Sequence, residues 1–253
     1  MGGRGSSAAG SQGIGAPATP QARTQQLMAQ VAADPTSLAS MSDADTQAVV
    51  QAIARLPIAT DGTQEDTFVQ RFLNHVGFTA GKPRVLDEAS FNAAATKSGA
   101  RVLYHADNSV PGRTSTLMAQ QLLTGPAMYV SGGIYGDGTY WATRASDSAG
   151  YALTAGTQVK GFISKTRGRV AKGTAADNAV TDFRKQHPNT WAWLQQNAKT
   201  KRGYSPSDSI LTLAFVAAGY NAYDAGSYKV TFDRSALTIC SKTRKVRRGM
   251  RNW

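Results

Sequence analysis

Acidic side chains, histidine and cysteine are all scarce in this 253-residue sequence. The single cysteine, Cys240, excludes an intrachain disulfide and suits a reducing compartment. It sits in the apolar run 237–240 and reads as a small buried hydrophobe. His75 and His187 have no partners at metal-ligand spacing, so no metal site is expected. No stretch approaches the roughly 18 apolar residues a membrane-spanning helix needs, and no membrane partner is expected. Residues 1–20 lack the apolar centre of a secretory signal. The glycine-dense stretch 132–138 does not end in Gly-Lys-Ser/Thr and leads into a strand, which excludes a P-loop and a dinucleotide-binding turn. A Gly-x-Ser-x-Gly elbow is missing too, so Ser-His-Asp catalysis has no motif behind it.

What is abundant is positive charge. Lys and Arg number 28 against 16 Asp and Glu, giving a net charge of +12 and a pI near 10.0. Such an excess favours polyanionic partners, or steers anionic substrates.

The chain divides by composition. Residues 1–24 are Gly, Ser, Ala and Pro with scattered Arg and Gln, and are expected to form a flexible arm. Residues 25–100 carry helical patterns at 42–56, 65–76 and 87–97, a helical lead-in. Ser42 is the expected cap of the first and Pro57 its stop; Gly77 and Gly99 follow the other two. Residues 101–240 mix strands with helices. Strands are expected at 101–105, 128–130, 139–143, 159–163, 228–232 and 237–240. Helices are expected at 116–123, 146–153, 183–197 with a break at Pro188, and 208–218 capped by Ser207. Residues 241–253 hold six Lys or Arg and read as an exposed basic tail.

Within the third region four features occur in order: Leu103-Tyr104-His105, a helix, Gly136-Asp137-Gly138-Thr139-Tyr140-Trp141-Ala142, and Ser146-Asp147-Ser148-Ala149-Gly150-Tyr151. The arrangement resembles the ADP-ribosyltransferase superfamily, in its diphtheria-toxin-like and poly(ADP-ribose) polymerase-like branch. That branch has a strand ending in His-Gly, a Gly-x-Gly-x-Tyr-Phe-Ala strand and a Ser-x-Ser-x-x-Tyr helix start. The resemblance implies an α+β fold, a split β-core around an NAD cleft preceded by the helical lead-in. It implies NAD as substrate. His105 would fix the ribose, Tyr140 and Tyr151 would sandwich the nicotinamide, and Ser148 with the backbone at Ala106 would hold the carboxamide. Gly136 and Gly138 would let the chain approach the ligand closely.

The sequence departs from that pattern twice. Ala106 stands where the family has glycine. Ser227 stands where the family's third motif often has a glutamate, ahead of the strand Tyr228-Lys229-Val230. Asp224 and Asp233 are the neighbouring carboxylates. Cleaving the nicotinamide–ribose bond passes through an oxocarbenium-like state that a carboxylate stabilises. Its loss argues against chain elongation and leaves mono-transfer, substrate-assisted transfer or an inactive NAD-binding fold.

The expectation is therefore a mono-ADP-ribosyltransferase of the glycosyltransferase class, acting on an unidentified protein or nucleic-acid acceptor. The catalytic positions would be His105, Tyr140 and Ser227. The alternative is an inactive relative with a structural or binding role. The opening Met-Gly-Gly-Arg-Gly-Ser-Ser resembles the start of many phage and prophage proteins, which implies bacterial cytoplasm or a phage virion. Lys165, Arg167, Arg169 and Lys172 form either an acceptor-binding loop or a solvated face. Lys242, Arg244, Lys245, Arg247, Arg248 and Arg251, with Trp253, are candidates for a polyanion contact.

Overall fold

The computed structural model describes residues 19–57, 67–106, 138–150, 156–198 and 205–246. Its helices begin where short side chains can take up unpaired N–H groups. Pro20 opens α1 (Pro20–Ala33), and Thr19 Oγ1 accepts from the Ala22 N–H at 3.2 Å. The helix thus enters the stretch expected as flexible arm, because a hydroxyl cap and an N1 proline supply a start that composition alone hides. A 3-10 turn, Pro35–Ser40, leads to α2 (Asp43–Ala54), capped by Ser42 as expected. Thr67 caps α3 (Phe68–His75), and Asp87 caps α4 (Glu88–Ser98), which ends at Gly99 with φ +56°.

Eight strands form one mixed sheet in the order β1-β8-β4-β2-β3-β7-β6-β5. They are β1 (Arg84–Leu86), β2 (Leu103–Ala106), β3 (Thr139–Ala142), β4 (Gly156–Ile163), β5 (Val170–Lys172), β6 (Ala222–Asp224), β7 (Tyr228–Thr231) and β8 (Leu237–Val246). Only the outer pairs β1–β8 and β5–β6 are parallel; the central pairs are antiparallel. Strands β1, β5 and β6, three residues each, are too short to leave a period in the sequence. Strand β8 continues past Cys240 to Val246, so residues 241–246 are strand rather than tail, although Lys242 and Lys245 stay exposed. The expected features at 116–123, 128–130 and 132–137 lie outside the described residues, as do Arg247, Arg248, Arg251 and Trp253.

The remaining helices are α5 (Ala145–Ala149), α6 (Thr174–Gln186), α7 (Pro188–Asn197) and α8 (Pro206–Ala217). Pro188 separates α6 from α7 and costs the latter nothing, since an N1 residue has no N–H to satisfy within the helix. Ser205 rather than Ser207 caps α8, in a reciprocal capping box with Asp208, because Pro206 takes the first helical position.

One large core joins early and late residues. Val31, Val49, Val50, Ile53, Phe68 and Phe72 pack with Phe183, Leu194, Leu213, Phe215 and the sheet residues Val230 and Phe232. Asp43 ties the two groups: its carboxylate accepts from the backbone N–H groups of Asn189 and Thr190, each at 3.0 Å, and from Thr190 Oγ1 at 2.7 Å. Burial opposes that charge, but the bonds from Thr190 and Asn189 hold the carboxyl below its ordinary range. Helix α4 belongs elsewhere; its Phe91 and Ala95 pack on Phe162 and Cys240 at the other end of the sheet.

Candidate functional site

Strand β2 lies between β4 and β3. Toward β4 it is paired along its whole length, from Leu103↔Gly161 to Ala106↔Gln158. Toward β3 the single registered pair among the described residues is Tyr104↔Ala142. Beyond it the two strands part, and a side chain takes over from the ladder. His105 Nδ1 lies 2.7 Å from the Tyr140 carbonyl oxygen. A carbonyl only accepts, so Nδ1 carries the proton and Nε2 is the ring nitrogen turned away from that bond.

The His105 ring lies 5.5 Å from the Trp141 ring, tilted by 53°. Trp141 is fully buried and donates from Nε1 to Thr231 Oγ1 at 3.0 Å. Its indole rests on Gly161, where a Cβ would come within 2.9 Å of the ring. Register extends this row across the sheet, from Trp141 to Lys229 on β7, Asp224 on β6 and Lys172 on β5. Lys229 and Asp224 form an ion pair with both side chains largely buried, and Lys172 approaches Asp224 at 4.0 Å. Burial pushes the Asp224 carboxyl up, but Lys229 and the Gly226 N–H hold it below its ordinary range.

The expected residues fall as follows. Ser227 is exposed just before β7, its carbonyl accepting from the Thr143 N–H at 3.0 Å. It lies two residues from Lys229, so strand alternation puts it on the His105 face, on the order of 12 Å from that residue by sheet spacings. Tyr140 contributes its carbonyl to His105, while its ring packs against the large helical core. Alternation puts that ring on the opposite face from Trp141. The aromatic wall beside His105 is thus Trp141, and Tyr151 lies outside the described residues. Gly138 makes its close approach to protein: a Cβ there would meet Val230 Cγ1 at 2.6 Å and the Thr231 carbonyl at 2.8 Å. Gly136 is outside the described residues.

Helix α5 packs on β2, with Ala149 against Ala106 and Val246, and Gln158 Nε2 donates to the Ala145 carbonyl at 2.8 Å. On this helix Ser148 is 2% exposed, and its Oγ has no hydrogen-bond partner among the described residues. Leaving a buried hydroxyl unpaired costs about 1–3 kcal/mol, which a ligand amide would recover. One face of the sheet therefore carries an oriented imidazole backed by a buried indole, with an ion pair further along the row, and the opposite face carries the unsatisfied Ser148 hydroxyl beside Ala106. The roles of Trp141 and Lys229 escape a reading of the sequence alone, and Asp224 shows there only as a carboxylate near Ser227; the register that joins them comes from strand pairing, which leaves no local signal.

Among the described residues no group of three or more His, Cys, Asp or Glu is arranged to hold a metal. No described helix is long and apolar enough to cross a membrane. No protein-family model, curated protein or solved structure matches the chain.

Proposed function

We propose that this chain binds NAD where β2 and β3 part and transfers ADP-ribose to a single acceptor site, as a mono-ADP-ribosyltransferase. The observation that carries the reading is convergence. Segments around 105, 140 and 227 are far apart in sequence, yet their strands β2, β3 and β7 are neighbours in the sheet. His105 and position 227 fall on one face of it. The split between β2 and β3 agrees with a cleft; the unpaired Ser148 hydroxyl lies beside Ala106, on the opposite face from His105, so a ligand meeting both would pass through that opening.

In this reading His105 Nε2 accepts a hydrogen bond from a ribose hydroxyl, and its Nδ1 bond to Tyr140 keeps the ring from turning. Ser148 Oγ donates to the carboxamide. The bond from ribose C1′ to the nicotinamide nitrogen breaks with its electron pair leaving on nitrogen. The acceptor atom bonds to C1′ and releases a proton. Ser227 offers no charge to the developing cation, so the acceptor is modified once rather than extended. The acceptor is a protein or nucleic acid in a bacterial cytoplasm or phage particle.

Incubation with NAD labelled in its adenylate half, alone and with bacterial lysate, tests the reading. A labelled macromolecule with released nicotinamide is expected. Folded protein that consumes no NAD overturns transfer. A second reading, NAD binding without turnover, is favoured by one observation: Asp224, the carboxylate nearest in sequence to Ser227, is already neutralised by Lys229. Calorimetry showing NAD heat without nicotinamide release would select it.

A further inference from the structure

The cations at 165–172 do not share a face. Lys172 turns to Asp224, and Arg169 lies over the Tyr220 ring at 5.0 Å. Arg167 crosses to β8, where Nη2 donates to the Leu237 carbonyl at 3.0 Å and to Thr238 Oγ1 at 2.9 Å. Thr238 is the register partner of Arg84, so two arginines meet at one strand position. Lys165 reaches the C-terminal end of α4, its Nζ 3.6 Å from where a Cβ on Gly99 would stand.

The path of the chain brings more cations to this corner. Strand β1 runs parallel to β8, and α4 then returns from Glu88, which pairs with Lys160 and Lys242, to Gly99. Lys82 and Arg84 before α4, and Lys97 and Arg101 around its end, therefore gather at the Thr238 end of the sheet with Lys165 and Arg167. All six are exposed. None takes part in an ion pair among the described residues. Asp233, the carboxylate that attracts Arg167, is already occupied by Asn221 and Ser235. Elsewhere Arg23, Lys160, Lys229 and Lys242 each have a carboxylate; what sets this corner apart is that six exposed cations gather in it.

We propose that this corner, formed by Lys82, Arg84, Lys97, Arg101, Lys165 and Arg167, is an interface for the phosphate backbone of double-stranded DNA. The chemistry points there for three reasons. Guanidinium groups bind phosphate in a bidentate fork, and Arg167 is already braced by β8. The cations are spread over a strand, a helix end and a loop, which fits a rigid polyanion with many phosphates rather than one bound ion. Val85 is the sole exposed large hydrophobic among the described residues. The corner therefore lacks the aromatic platform used for single strands and the apolar wedge used for membranes.

Fluorescence anisotropy of the full chain with a labelled 20-base-pair DNA duplex of mixed sequence, titrated with salt, tests this. Binding that weakens as salt rises is expected. The quadruple variant K82Q/R84Q/K97Q/R101Q should bind at least tenfold more weakly, with the log–log salt slope smaller by about 0.9 for each lost phosphate contact. Should that variant melt early, K82Q/R84Q alone, whose side chains make no hydrogen bond or ion pair among the described residues, should still lower both affinity and slope. Unchanged affinity in a folded variant overturns the proposal. So does a loss seen only on neutralising Lys242, Arg244 and Lys245, or tighter binding to single-stranded DNA or to phosphatidylserine vesicles than to the duplex.

Discussion

Strand β2 is bonded differently along its two edges. Toward β4 every residue is in register, and the junction is closed by Val159, Leu103 and the indole of Trp141 over Gly161. Toward β3 the ladder stops after one pair among the described residues, and His105 spans the opening to a carbonyl. A closed edge satisfies its polar groups with backbone and leaves nothing for a ligand to do. An open edge must satisfy them with side chains, which fixes those side chains in orientation. The two edges of one four-residue strand thus differ in what satisfies them, backbone along one and an oriented side chain along the other.

That division can be broken from either side. The largest effect belongs to the closed junction. Trp141→Ala should cost about 3–5 kcal/mol in urea unfolding, since the indole fills the space above Gly161 and no neighbour replaces it. A cost under about 1 kcal/mol would mean that the junction closes without the indole. At the open edge His105→Ala should lower NAD turnover by about a hundredfold while moving the melting temperature by only about one or two degrees. The reverse pattern, a melted protein with turnover per folded molecule intact, would make His105 a strut.

Smaller still is Ser148→Ala. Removing an unpaired buried hydroxyl should leave stability level or raise it by about 1 kcal/mol, while NAD affinity by calorimetry falls about tenfold. Lower stability would reveal a partner for that hydroxyl within the protein. The smallest effect comes from pH, far from both edges. His187 is fully buried between α6 and α7, and burial lowers its pKa against the pull of Asp43 and the Leu38 carbonyl. Below about pH 6.5 the unfolded chain takes up a proton there that the folded chain resists, so stability should fall as pH drops through that window. His187→Phe should flatten this part of the pH profile of urea midpoints; an unchanged profile would place the titration elsewhere.

Much of this was legible beforehand where a local rule decides the outcome. Ser42, Asp87 and Gly99 bound their helices as cap chemistry requires, and β3 and β7 start at the expected residues. Pairing was not legible. Nothing in Arg84-Val85-Leu86 tells that it runs parallel to residues 238–240, because three residues carry no period and the partner is remote. The same holds for the site. His105 was visible as a strand-end histidine, but its bond to a backbone carbonyl and its neighbour Trp141 depend on where β2 and β3 part. Tyr140 was assigned by its place in a motif, whereas the direction of its ring follows from strand alternation against Trp141.

The carboxylate of Asp43 reaches Thr190 across 147 positions of sequence, inside a core that also needs Phe232. A ribosome delivers these partners in order. Helices α1 to α3 leave the tunnel with the faces of Val49, Ile53 and Phe72 uncovered and wait for α6 to α8. At about 5–20 residues per second that interval is on the order of ten seconds or more. Limited proteolysis of stalled nascent chains should find residues 20–76 cleavable until about residue 232 has emerged. For this protein synthesis is therefore a period of exposure, longest for the first third of the chain.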